Sequence, residues 1–327
     1  MSTGASTSNA RLGILFILIG MTAISVNDML IKALSGDYPL HQMVFVRSAI
    51  AITFSLVLVQ IEGGWKILRT DQPGWHLVRG LLIVTANMTF FAALAVLPLA
   101  EATALFFVAP LFITLLSIPI LGEKVGPYRI SAVLVGLLGV VVMLRPWEAQ
   151  NAHGVERWML LLPILAAAAY AGMQILTRRL GVTSKASAMA TYIQGTFLVV
   201  SVVFFAIAGD GELADGLTNP SLIFLLRAWV WPTGNDIWLF LLLGLSSGVI
   251  GYSMSQAYRQ ADVGLIAPFE YTALPLAVFW GWMVFGELPG FVRAIGISLI
   301  LAAGIFVFVR EHLINGRRSG RRPLRRH

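Results

Sequence analysis

Residues 270–293 read EYTALPLAVFWGWMVFGELPGFVR, and residues 106–129 read FFVAPLFITLLSIPILGEKVGPYR. Each stretch has an apolar segment that closes on Gly-Glu, followed by a proline-containing turn and another apolar segment. The chain therefore contains an internal repeat, a feature that sets the architecture of a whole protein. At an offset of 164 residues, the identical aligned pairs include Ala109 with Ala273, Gly122 with Gly286, Glu123 with Glu287 and Arg129 with Arg293.

The composition around this repeat is that of a membrane protein. Of the 327 residues, 57% are hydrophobic and only 12% are charged, and the mean hydropathy is +0.81. A soluble domain has about 25% charged residues. These values exclude a soluble globular enzyme, a disordered chain and a coiled coil, and they leave a polytopic membrane protein.

The fold class predicted is all-α, with ten transmembrane helices. A spanning helix needs about 20 mostly apolar residues, and glycine or proline marks most of the short connections between such stretches. The predicted spans are 12–34, 40–61, 74–97, 99–121, 127–145, 158–179, 186–208, 236–258, 263–286 and 290–310.

The repeat divides these spans into two units of five. The first unit covers residues 12–146, the second covers 158–310, and a linker at 147–157 joins them. Because five is odd, the second unit enters the membrane from the opposite side, so the two units form inverted repeats. Inverted repeats are typical of secondary transporters, whose sites lie near the midplane between the two units.

The charge distribution predicts the orientation. Residues 1–11 form a short N-terminal tail, and residues 311–327 form a basic C-terminal tail with six arginines. With both tails cytoplasmic, most Lys and Arg residues fall inside, as the positive-inside rule requires. The basic tail is expected to contact anionic lipid. No nucleic-acid partner is expected, since no binding fold accompanies the arginines.

The longest connection, residues 209–235, is predicted to be external. It contains an apolar piece of about ten residues, which is too short to span, with Arg227 inside it and Trp229 and Trp231 at its end. This pattern indicates an interfacial helix. A gate over a substrate entry is the alternative.

The quoted motifs resemble those of the drug/metabolite transporter superfamily, EamA-type. The resemblance runs from about Leu12 to Arg310 and includes Phe-Val-Arg at 45–47. The second-half string is similar to a branch that includes bacterial riboflavin and S-adenosylmethionine carriers. The resemblance implies a bacterial inner-membrane carrier that works by alternating access. One departure is Leu274, which stands where the first half has Pro110, and it argues against strict symmetry of the helix bends.

Two charged residues are predicted inside the outer half of the membrane. A charge at a helix centre costs about 2.5–3.5 kcal/mol, so it needs a partner, a water-filled cavity or a function. At 1.5 Å per residue, Asp28 and Arg47 both lie about 10 Å below the outer surface, which favours an ion pair between them. The alternative is a pair of Asp28 with Lys32, one helical turn along.

A third charged residue, Glu270, lies in the inner half of the predicted span 9. Pro268 precedes it and is expected to kink the helix. Glu270 is therefore predicted to line a cavity beside Tyr271, and the alternative is a carboxylate paired with Arg259 near the inner surface.

Uncharged polar residues complete the predicted substrate site. Each of them is also suited to a hydrogen bond between helices, and aromatic side chains in the same spans could stack on a planar ligand. The full set of substrate-binding candidates is Asn27, Asp28, Arg47, Asn87, Gln174, Gln194, Tyr252, Gln256, Glu270 and Tyr271.

Several other kinds of site are not predicted. Residues 244–248 read GLSSG and match the nucleophile-elbow pattern, but they lie in an apolar helix, where GxxxG packing is the better interpretation. The histidines have no metal-ligand spacing, there is no cysteine, and no cofactor is expected.

The function predicted is a secondary transporter for a small planar or zwitterionic metabolite, such as riboflavin or an amino acid. The alternative is a membrane-embedded enzyme or a non-transporting regulatory protein on the same fold. The partners expected are the small-molecule substrate and the lipid bilayer, and the sequence leaves a homodimer open.

Overall fold

The computed structural model describes residues 3–122, 127–144, 156–180, 185–260 and 267–319. Most of these residues are helical, and none of them lies in a strand. Short 3₁₀ turns lie at Trp65–Leu68, Arg157–Leu161, Glu212–Ala214 and Ala267–Thr272. The α-helices are α1 (Thr3–Leu34), α2 (Leu40–Glu62), α3 (Pro73–Leu94), α4 (Leu99–Phe106), α5 (Ala109–Leu121), α6 (Pro127–Leu144), α7 (Leu162–Leu180), α8 (Ala186–Ala208), α9 (Pro220–Leu226), α10 (Asp236–Gln260), α11 (Ala273–Phe285) and α12 (Phe291–Ser319).

Seven of the helical segments are long and apolar enough to cross a membrane. They confirm an all-helical, multi-pass membrane protein. The three other predicted spans coincide with shorter apolar segments at Val133–Leu144, Phe269–Phe285 and Phe291–Phe306, so ten crossings stay a prediction. The seven long segments are Arg11–Leu34, Leu40–Glu62, Pro73–Leu94, Leu99–Ile120, Trp158–Thr177, Ser187–Ala208 and Asp236–Met254.

The predicted span 99–121 is not one continuous helix. It is interrupted at Phe107 and Val108, between α4 and α5. The cause is Pro110, which has no N–H for a helical hydrogen bond and whose ring clashes with the carbonyl of Phe106, four residues earlier. Pro110 is instead accommodated in the first turn of α5, where no such bond is required.

The predicted span 263–286 is not α-helical throughout its described part. Its described part opens with the 3₁₀ turn Ala267–Thr272, and α11 begins only at Ala273. Ala273 is the residue that aligns with Ala109, the first residue of α5. The two segments also end alike, because Gly122 and Gly286 have φ angles of +68° and +67°, a left-handed conformation that favours glycine after a helix.

The helices pack pairwise across the two halves of the chain. The most extensive contacts join α1 to α10, α3 to α7, α2 to α8 and α6 to α12. Glycines permit the closest approach at the last of these pairs: a Cβ added to Gly139 would lie 2.9 Å from the carbonyl oxygen of Gly296. Gly244 of the GLSSG motif likewise faces α2, since an added Cβ would lie 2.1 Å from Ile50. The packing interpretation of that motif is confirmed.

The segment 209–235 folds back onto the bundle, which differs from the predicted interfacial helix. Phe224 of α9 is fully buried, and the Ser221 hydroxyl donates to the Ala92 carbonyl at 2.7 Å. Gln42 fixes the far end through bonds with the backbone of Val230 in both directions, at 2.7 and 3.1 Å. The apolar side of α9 therefore completes the protein core, while Trp231 at the tip of the segment is 89% exposed.

Candidate functional site

Three predicted site residues meet at one depth around Arg47. Asn27 lies seven residues before the end of α1, Arg47 seven residues after the start of α2, and Asn87 seven residues before the end of α3. Seven residues correspond to about 10 Å along a helix. Because neighbouring spans run in opposite directions, these positions fall at the same level of the bundle.

The Arg47 side chain is held by amide oxygens and aromatic faces. Its guanidinium donates to Asn87 Oδ1 at 2.6 Å and to Asn27 Oδ1 at 3.2 Å. The rings of Phe91 and Phe197 lie 5.4 and 5.2 Å from it, within the range of cation–π attraction. Only 8% of the residue is exposed. The cation is thus fixed in orientation without a carboxylate at bonding distance.

Asp28 and Arg47 interact electrostatically, as predicted, but they do not form a direct ion pair. Asp28 is within electrostatic range of Arg47, but within the described ranges no carboxylate oxygen lies within 4.0 Å of that guanidinium. Successive side chains on a helix point about 100° apart, so Asn27 faces Arg47 where Asp28 does not. The alternative pair of Asp28 with Lys32 is also absent from the ion pairs of the described residues, where the Lys32 ammonium binds Glu287 at 3.1 Å.

A second group of predicted residues lies where the two interrupted helices meet. The rings of Phe107 and Tyr271 are stacked, with centroids 5.2 Å apart. Glu270 interacts electrostatically with the hydroxyls of Tyr271 and Tyr170, and Gln174 donates to the Tyr170 hydroxyl at 2.7 Å. All these side chains are half-buried.

Aromatic rings connect the two groups. Phe91, beside Arg47, has its ring centroid 5.4 Å from that of Phe90, which lies 5.2 Å from Phe106. Phe106 in turn lies 5.4 Å from Tyr170. We call these four residues the aromatic row, and it runs from Arg47 at one end to Tyr170 and Glu270 at the other.

Three other predicted residues lie apart from these contacts. Tyr252 is 44% exposed and makes an edge contact with Phe16 of α1 at 5.9 Å, so the structure does not bring it to either group. Gln194 and Gln256 are half-buried on α8 and α10. Arg259, the alternative partner of Glu270, has a side chain outside the described residues.

The sequence did not reveal some of the partners. Asn27 donates to the hydroxyls of Ser246 and Ser247 at 3.2 and 3.0 Å, which ties α1 to the GLSSG motif of α10. That motif was recognisable only as a packing site, and nothing in the sequence linked it to Asn27. Phe197, the second ring over Arg47, is one of 19 phenylalanines and carries no distinguishing pattern.

Ion pairs between the two halves lie at the end of the bundle that carries residues 35–39. Besides the Lys32 pair, Arg293 binds Glu101 at 3.1 Å, and the second carboxylate oxygen of Glu287 accepts the backbone N–H of Leu99 at 3.2 Å. The second Gly-Glu motif therefore joins α1 and the start of α4.

The same end is also closed by Tyr38, whose hydroxyl donates to Asp236 at 2.7 Å. Burial, together with that carboxylate, raises the pKa of Tyr38, so the hydroxyl keeps the proton that it donates.

Comparison with known proteins places this fold and site in a family. Residues 11–145 match the EamA-like transporter family. A riboflavin transporter of Rhizobium johnstonii is 30% identical over 312 residues, which are 95% of this chain and 95% of that protein. A riboflavin transporter of Vibrio cholerae is also 30% identical, over 90% of this chain and 92% of that protein.

A third relative, an S-adenosylmethionine uptake transporter of Rickettsia prowazekii, is 26% identical over 91% of this chain and 93% of that protein. A solved crystal structure with 22% identity superposes with a TM-score of 0.59 and covers 92% of this chain and 98% of its own, which supports the fold alone. The protein is a multi-pass membrane transporter. It belongs to the EamA-like transporter family of the drug/metabolite transporter superfamily, as the resemblance implied.

Proposed function

We propose that this protein is a secondary transporter of the bacterial cytoplasmic membrane that moves riboflavin or a closely related planar metabolite by alternating access. The observation that carries the proposal is that α5 and α11 begin at equivalent positions, Ala109 and Ala273, each directly after residues that are not α-helical, and that Phe107 and Tyr271 of these preceding segments are stacked on each other. Helices broken at matching positions of two repeats are the best sequence-level indication of a transporter binding site.

The packing pattern supports ten spans in two inverted repeats. In the predicted repeats, α1 corresponds to α7 and α3 corresponds to α10. Exchanging the two repeats therefore turns the α1–α10 contact into the α7–α3 contact. The α2–α8 and α6–α12 contacts are each unchanged by the exchange. All four are the main contacts of the bundle, as a two-fold relation between repeats requires.

Two independent observations support the substrate class. The names of the two relatives at 30% identity specify riboflavin. Independently, the aromatic row offers π-faces to a planar ring, with hydrogen-bonding side chains at both ends. Riboflavin has a flat ring system and a polyhydroxyl chain, so it matches this combination of surfaces.

Counterflow into proteoliposomes tests the proposal. Purified protein is reconstituted into vesicles loaded with unlabelled riboflavin, and the entry of labelled riboflavin is followed over time. We expect a saturable overshoot that protein-free vesicles lack, and the same overshoot in a Tyr252→Phe variant, since Tyr252 contacts neither group. Vesicles loaded with S-adenosylmethionine are run in parallel. If only S-adenosylmethionine gave an overshoot, the substrate would be S-adenosylmethionine and not riboflavin. Linear, unsaturable entry would indicate a channel.

A further inference from the structure

We infer that Lys32, Glu101, Glu287 and Arg293 form a releasable closure of the predicted outer end of the transporter, which opens once in each transport cycle. We call these four residues the outer latch. Their role rests on the proposed function, because only a carrier that works by alternating access needs an end that opens and closes.

The outer latch joins the two halves of the chain. Lys32, at the end of α1, and Glu101, at the start of α4, belong to the first half, whereas Glu287 follows α11 and Arg293 lies at the start of α12. Each ion pair takes one partner from each half, with 3.1 Å between Lys32 and Glu287 and 3.1 Å between Arg293 and Glu101. Separation of the halves at this end therefore requires that both pairs break.

Hydrogen bonds from the same side chains hold the turn between α3 and α4. The Lys32 ammonium also donates to the carbonyl of Leu97, and the second carboxylate oxygen of Glu287 accepts the N–H of Leu99. This turn is thus clamped between α1 and the end of α11. Each bond has a side chain as one partner, so water can replace it without unfolding a helix.

The outer latch lies between the candidate site and the predicted external solution. All four of its residues lie two residues from a helix terminus. At 1.5 Å per residue, Lys32 is about 7 Å nearer the end of α1 than Asn27, which binds Arg47. The start of α4, where residues 99–105 are all buried, fills the bundle at the level of the latch. A ligand beside Arg47 can leave on this side only when the latch opens.

The position of the latch makes its ion pairs reversible. Separating a pair deep in the bundle would leave two unpaired charges in a medium of low dielectric, which is strongly unfavourable. Near the end of the bundle, water can hydrate both partners, so such a pair contributes little net stability. The Glu287 side chain is already 30% exposed. These pairs can therefore close the end and release it again when water enters between the halves.

Crosslinking tests the outer latch, and the absence of cysteine from the chain makes the reaction specific. Lys32→Cys and Glu287→Cys are combined, and the thiols are joined by a bifunctional methanethiosulfonate whose spacer is as long as the two side chains it replaces. Riboflavin counterflow into proteoliposomes is measured before crosslinking, after crosslinking and after reduction. We expect crosslinking to abolish counterflow and reduction to restore it. Riboflavin binding to the crosslinked protein in detergent should be retained, because the site is then reached from the opposite end.

A second pair and two controls accompany this variant. Tyr38→Cys with Asp236→Cys replaces another bond between the halves at the same end, so it repeats the test with the ion pairs intact. Asp210→Cys with Glu212→Cys joins two exposed neighbours within the second half. A monofunctional methanethiosulfonate modifies the latch thiols without joining the halves. Neither control should stop counterflow.

Undiminished counterflow with the halves crosslinked would overturn the inference, and so would a loss that either control reproduces. Failure of the reagent to join the latch thiols, measured from the mass of the protein, would contradict the closure itself. Loss of riboflavin binding on crosslinking would show that these residues shape the site and not the access to it. Absence of counterflow in the wild-type protein would instead refute the proposed function, so the two failures are distinguishable.

Discussion

At the scale of single residues, two ion pairs between described residues join the two halves of the chain. The side chains of Arg293 and Glu101 are 14% and 4% exposed, whereas those of Lys32 and Glu287 are 9% and 30% exposed. Removing one partner of a buried pair leaves an uncompensated charge, which costs about 3–5 kcal/mol. Solvent reduces this cost where a partner is partly exposed.

We therefore predict that Glu101→Gln destabilises the protein more than Glu287→Gln does. The measurement is the thermal unfolding temperature of both variants in the same detergent at one scan rate. Glu212→Gln is the control, because Glu212 is exposed in the turn after α8, and it should unfold like the wild type. Equal shifts for all three variants would mean that the ion pairs contribute nothing measurable.

Individual residues differ in how far their surroundings could be predicted. The shared depth of Asp28 and Arg47 followed from helix rise alone, and the structure does place Asn27, Arg47 and Asn87 together. The partner of Lys32 could not be predicted, because Glu287 is brought to it only by the packing of α11 and α4 against α1. The depth of a residue along its helix can be calculated from the sequence. Its contacts with other helices depend on the tertiary arrangement and cannot be calculated in this way.

At the scale of elements, the contact between α6 and α12 depends on glycine. A Cβ on Gly139 would lie 2.9 Å from the Gly296 carbonyl oxygen and about as close to side chains of Ile300 and Leu299. Because part of this obstruction is backbone, the two helices must separate to admit a methyl group. Gly251 of α10 is the opposite case, with nothing within 4 Å of an added Cβ.

We predict that Gly139→Ala lowers stability by about 1–3 kcal/mol, the usual cost of overpacking. Gly251→Ala should leave stability unchanged or raise it by up to about 1 kcal/mol, since alanine favours a helix over glycine. Thermal unfolding of the two variants beside the wild type measures the difference. If both alanines behaved alike, the close approach of α6 and α12 would not be a determinant of stability.

The elements themselves were predicted better than their interruptions. Hydropathy located every described helix of the bundle, because apolar length is a property of the local sequence. The sequence does not predict the break before α5, since proline near a helix start and proline within a helix look alike in sequence. Similarly, the sequence does not predict the burial of Phe224, because α9 is too short for its apolar residues to indicate what they pack against.

At the scale of the whole molecule, ten crossings with both termini in the cytoplasm determine which connections face the outside. The absence of cysteine makes single-cysteine reporters unambiguous. Asp71 and Asp215 suit this purpose, as both are exposed in the connections after α2 and after α8. A thiol introduced at either place disturbs no described hydrogen bond or ion pair.

Five predicted spans separate these two positions, so ten crossings put them on opposite faces. If only the seven long helices crossed, four spans would separate them, because Val133–Leu144 would not be counted, and both reporters would share a face. We predict that a membrane-impermeant maleimide applied to cells with a permeable outer layer labels Asp215→Cys at once and labels Asp71→Cys only after the inner membrane is opened. Labelling of both in intact cells would refute ten crossings. Labelling of Asp71→Cys alone would keep the crossings and reverse the orientation, against the distribution of Lys and Arg that places both termini in the cytoplasm.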